Sequence, residues 1–83
     1  MTAEEIREIM EQDLPRSKDS NKALLGLQIL AKYTDNAVAG AEHDVIYSED
    51  IEVFAEAGIT PEECKRLREL DWHLSDDQFA RFV

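Results

Sequence analysis

Few side chains in this sequence could carry nucleophilic, acid–base or metal chemistry: Cys64, His43, His73 and the carboxylates near them. A thiol paired with an imidazole that a carboxylate orients is a hydrolytic arrangement, and Cys64, His73 and an aspartate supply the three types. Cys64, however, shares a helical face with Leu67 and Leu70, where cysteine acts as a small hydrophobe, and no Gly-rich turn stands beside it to supply oxyanion donors. His43-Asp44 and His73 with Asp76-Asp77 combine ligand types suited to a divalent metal, but their spacing matches no HExxH, EF-hand loop or cysteine pair. We therefore expect no enzyme activity, no cofactor and no metal.

A second kind of chemistry is offered by Lys65, Arg66 and Arg68 within AGITPEECKRLREL, with Arg81 further on. On a reading helix these bases would contact phosphates or the acceptor atoms of guanine. Glu62 and Glu63 stand at the start of that helix, where base edges are met, and Asp76-Asp77 would occupy the wing tip. Glu62 lies four residues before Arg66 and Lys65 four before Glu69, so local ion pairs are expected. The segment reads as a packed helix with a solvated, ion-paired face.

The charge balance points the same way. The chain carries a net charge of −10, which repels phosphate backbones at long range. Residues 41–60 hold six acids and no base, whereas residues 61–83 hold six acids and four bases. We therefore expect a non-catalytic protein-interaction module whose partner is a basic protein, not nucleic acid, with Asp44, Tyr47, Glu49, Asp50, Glu52 and Glu56 as binding residues. The alternative expectation is a winged-helix-type DNA-binding protein. No apolar run is long enough to span a bilayer, and the start, MTAEEIREIMEQD, has neither the basic nor the apolar region of a signal peptide, so a cytoplasmic protein is expected.

The elements that must position these residues can be traced from caps and periodicity. Thr2-Ala3-Glu4-Glu5 has the form of a capping box and predicts a helix that buries Ile6, Ile9, Met10 and Leu14 before Pro15. A polar linker, Arg16 to Ser20, leads to a second helix capped by Ser20 or Asn21. Its Leu24, Leu25, Leu27, Ile29, Leu30 and Tyr33 cover most of the circumference and predict the centre of the fold. Gly26 inside it predicts either a close helix crossing or an ordinary tolerated glycine. Thr34 to Glu42 reads as a loop or frayed helix end, and His43 to Tyr47 as a short strand or helical turn. Ser48 then caps a helix that buries Ile51, Phe54 and Ala55 and ends at Gly58. Thr60-Pro61-Glu62-Glu63 opens the last helix, and Trp72–Ser75 with Gln78–Val83 around Asp76-Asp77 predict a hairpin.

The expected fold is α+β, mainly α: one domain over residues 1–83 with about four helices and a C-terminal β-hairpin in winged-helix-like order, Val45 to Tyr47 being available as a third strand. With 83 residues the core is small, burying roughly 60–65% of the unfolded surface. The single cysteine excludes an internal disulfide.

The C-terminal half, through Asp44-Val45-Ile46-Tyr47, Gly58-Ile59-Thr60-Pro61-Glu62-Glu63, Trp72-His73 and Phe79-Ala80-Arg81-Phe82-Val83, resembles a group of small acidic phage and bacterial proteins of unknown function. In those proteins a glycine commonly precedes the tryptophan, where Asp71 stands here, and the resemblance implies no activity. The size, acidity and Asp44-Val45-Ile46-Tyr47 are also similar to a segment of bacterial DNase-immunity proteins, which hold a basic nuclease through acidic and tyrosine contacts. Ser48 and Glu49 replace the tyrosine and proline of that segment, and its four-helix fold has no counterpart to the hairpin.

Overall fold

Two threonines set where helices begin, as their spacing from glutamate predicts. In the computed structural model, which describes residues 1–83, the Thr2 hydroxyl accepts from the Glu5 amide and the Glu5 carboxylate accepts from the Thr2 amide. Thr60 and Glu63 repeat the arrangement, with Pro61 at the first helical position. These boxes open α1 (Ala3–Met10) and α4 (Pro61–Glu69); between them lie α2 (Lys22–Leu30), β1 (Gly40–Glu42), β2 (Val45–Asp50) and α3 (Ile51–Ala57), and after them β3 (His73–Ser75) and β4 (Gln78–Phe82). The four strands form one antiparallel sheet in the order β1-β2-β4-β3. The architecture is α+β, with four helices and the expected C-terminal hairpin. No helix is long and apolar enough to cross a membrane.

Several local expectations are corrected. Helix α1 stops at Met10, so Leu14 lies beyond it. Ser48 does not cap α3: β2 runs through it to Asp50, Ser48 is fully buried, and the Asp50 carboxylate accepts from the Glu52 amide at 2.9 Å. An irregularity in the β2–β4 register between Tyr47 and Asp50 accompanies this strand-to-helix passage. Gly40–Glu42, within a segment whose composition predicts a loop, pairs with β2 as an edge strand.

Helix α2 is not the centre. Leu24 is 54% exposed, only Gly26 and Leu30 of the helix are buried, and Leu25, Leu27 and Ile29 are only partly buried against the core, because α2 packs on α4 from one side. The centre is instead α4 with the residues at its ends: Ile59, Cys64, Leu67, Leu70 and Trp72 are buried together with Ile6, Phe54 and Phe79. Phe54 and Phe79 meet edge to face with centroids 5.2 Å apart.

The way α4 ends explains how Trp72 gets inside. The Trp72 amide donates to the Leu67 carbonyl at 3.0 Å and the Asp71 amide to the Arg68 carbonyl at 3.2 Å, the two bonds of a Schellman motif. Asp71, at φ 67°, occupies the left-handed position that glycine usually takes. The chain thereby turns back, and the indole enters the core against Gly26 of α2.

Candidate functional site

The acids of residues 41–60 fall into two groups. Asp44 and Tyr47 belong to the sheet: Asp44 lies exposed in the β1–β2 turn, and Tyr47 is half-buried on β2 opposite Gly40 and Ala80. Glu52 and Glu56 are exposed on α3, where they border a groove against Glu4 and Arg7 of α1. Glu49 and Asp50 join the two groups and have local tasks, Glu49 accepting from the Thr34 hydroxyl at 2.7 Å and Asp50 capping α3. The six candidate residues thus run along one strand–helix passage without converging on a single pocket.

Ion pairing is distributed unevenly. Every pair in the fold draws its acid from outside residues 41–60: Asp77 with Arg7, Asp71 with Arg16 and Lys22, Glu63 with Lys32, and Asp19 and Glu69 with Arg66. The Arg7 guanidinium meets Asp77 through two hydrogen bonds of 3.0 Å, which hold the Asp77 carboxyl below its usual range. The hydrogen bond from Lys22 does the same to Asp71. Six acids in the middle of the chain are left without a cationic partner.

The bases of α4 are mostly engaged inside the fold. Arg66 pairs with Asp19 at 2.9 Å and more loosely with Glu69 at 3.9 Å. The i,i+4 pairs Glu62–Arg66 and Lys65–Glu69 that spacing predicts are not formed; Arg66 pairs instead with Asp19, in the linker before α2, and with Glu69. Arg68 donates to the carbonyls of Gln12 and Trp72, and Arg81 to those of Leu70 and Phe82. Of Lys65, Arg66 and Arg68 on α4 and Arg81 on β4, only the exposed Lys65 makes neither a hydrogen bond nor an ion pair.

Cys64 is fully buried, with its sulfur 3.9 Å from that of Met1, and burial together with the neighbouring Glu63 charge pushes its thiol up to about 12. It is a protonated core side chain at neutral pH. His73 stacks on Phe82 at 5.1 Å on the sheet and makes no hydrogen bond with Cys64. No three His, Cys, Asp or Glu side chains are grouped so as to hold a metal ion.

Sequence reasoning missed a polar cluster where α2 meets α4. Glu63 accepts from the Thr60 amide at 3.1 Å, from Lys32 at 2.5 Å and from the Tyr33 hydroxyl. Burial raises the Glu63 carboxyl, and these donors together outweigh it and hold it at about 2. The hydrogen bond to Glu63, followed by burial, pushes the Tyr33 phenol up to about 12. The capping box announces Glu63 in the sequence; nothing there brings residues 32 and 33 to it.

No protein-family model, curated protein or solved structure matches the chain.

Proposed function

We propose that the protein is a non-catalytic interaction module that meets a basic protein partner through the acidic segment from Glu42 to Glu56. One observation carries this reading: every ion pair of the fold takes its acid from outside residues 41–60, and all six carboxylates of that segment are left without a cationic partner. A surface of unpaired single-sign charge accelerates encounter with an oppositely charged partner and sets its orientation more than it adds affinity. Asp44, Glu52 and Glu56 are the steering charges, Tyr47 is a contact residue, and Glu49 and Asp50 contribute charge while serving the fold. A cytoplasmic location belongs to the same reading.

A second reading rests on topology. β2, α3, α4 and the β3–β4 hairpin follow one another along the chain and β4 lies between β2 and β3, a succession compatible with a winged helix-turn-helix. The chemistry opposes it, since Arg66, Arg68 and Arg81 are spent inside the fold and Asp76-Asp77 stands at the hairpin tip. Topology alone does not establish a function.

The experiment is to isolate the protein with whatever it captures, identify protein and nucleic acid, and reconstitute the protein partner for kinetics. Replacing Asp44, Glu52 and Glu56 by lysine is expected to slow association, with the difference from the unmodified chain shrinking as salt is raised. Specific duplex DNA binding at physiological salt, lost when Lys65, Arg66 and Arg68 are replaced, would establish the second reading instead.

A further inference from the structure

The sheet has one face in the core and one outside. Cross-strand register places Ile46, Phe79 and Leu74 on the inner face, where they join or abut the core. The outer face carries one row formed by Gly40, Tyr47, Ala80 and His73, in which Ala80 is fully buried between the half-buried Tyr47 and His73, and another formed by Glu42, Val45 and Phe82. Val45 and Tyr47 belong to no part of the core, and Phe82 is 66% exposed while its ring stacks on His73. Beside Tyr47 lies an open recess of about 380 Å³, bordered by Gly40, Glu42, Ser75, Asp76 and Gln78. Gly40 borders it without a side chain, and a Cβ there would meet nothing within 4 Å.

We propose that this outer face seats a basic segment of a partner protein, with an arginine side chain in the recess beside Tyr47 and a neighbouring apolar side chain on Phe82 and His73. The proposal rests on the protein-interaction reading above and names where the partner lands. Charge complementarity selects the occupant. Glu42 and Asp76 border the recess without an ion pair, and no lysine or arginine lines it. A planar guanidinium can lie on the Tyr47 ring while donating to a carboxylate at the rim of the recess, which a point-charge ammonium does less well. A second copy of this chain would bring like charges together, since each copy carries −10.

The test uses the full chain, isotope-labelled, and an acetylated octapeptide with a central Arg-Leu pair flanked by lysines. Amide shifts are expected in β1, β2 and β4, with binding about tenfold weaker when citrulline replaces the peptide arginine. The Cβ of Gly40→Leu would meet no atom within 4 Å and its side chain would stand at the rim of the recess, so it should weaken binding about tenfold without lowering the melting temperature. Phe82→Ser should weaken binding several-fold, as loss of an aromatic anchor does. Equal binding by Gly40→Leu, or shifts centred on Glu52 and Glu56, would overturn the proposal and leave the protein-interaction reading standing. Failure of the octapeptide to bind, or self-association of the free chain competing for the same face, would overturn it as well. The protein-interaction reading would then be decided by the reconstituted partner.

Discussion

A Cβ placed on Gly26 would lie 1.9 Å from Nε1 of Trp72 and 2.5 Å from the next indole atom. The indole is fully buried, and its N–H is directed at the Lys22 carbonyl 3.5 Å away, so it has no free space into which to withdraw. Gly26→Ala should therefore destabilise the fold even though alanine favours helix by about 1 kcal/mol, because overpacking costs about 1–3 kcal/mol or more. Urea unfolding followed by tryptophan fluorescence measures the balance; a more stable variant would mean that the indole does not rest on α2.

The same contact shows what the sequence conveys and what it withholds. Capping boxes, the Gly58 stop and the hairpin turn are local devices, written within four or five residues, and all are found where their residues predict them. Gly26 signals a close approach, but its partner is a side chain 46 positions away, and nothing local announces a tertiary contact. Helix α2 misleads for the same reason: an apolar circumference states that burial is favourable without stating that neighbours exist to provide it. For the candidate surface, the six acids are plain in the sequence. Their lack of cationic partners, and the rows that gather Tyr47, His73 and Phe82 outside, depend on strand register.

Leu67 is fully buried on the inward face of α4 and is also the residue whose carbonyl closes the turn to Trp72. Leu67→Ala should cost about 2–5 kcal/mol, as truncation of buried leucines does. An unchanged denaturation midpoint would place the working face of α4 elsewhere.

Asp71 combines a left-handed backbone with two ion pairs, to Arg16 at 2.6 Å and Lys22 at 2.9 Å. The two roles separate by substitution. Asp71→Gly keeps the backbone and removes the charge, and Asp71→Ala removes both, so alanine should be the less stable of the two by about 1 kcal/mol. Salt should narrow the gap between Asp71→Gly and the unmodified chain, but not the gap between glycine and alanine. Thermal melts of the three proteins at low and high salt distinguish these terms.

Glu63 should give the fold a pH dependence on both sides of neutrality. Its carboxyl sits at about 2 against an ordinary 4.5, so its contribution is fully present above the unfolded value and is lost as pH falls from there through about 2. Tyr33 is displaced in the opposite sense, from 10.0 to about 12, so its contribution is present below the unfolded value and is lost as pH rises through about 12. Lys32 is 61% exposed and its share is screened by water, which leaves an expected cost of about 1–3 kcal/mol for Glu63→Gln at neutral pH. That deficit should shrink when unfolding is measured at successively lower pH, because the unmodified chain then loses the same charge. In a Tyr47→Phe background, the ultraviolet titration of Tyr33 should move down toward 10 once Glu63 is glutamine. A variant deficit that stays constant from neutrality to acid, with no movement of the Tyr33 titration, would show that the carboxylate of Glu63 does not hold α2 to α4.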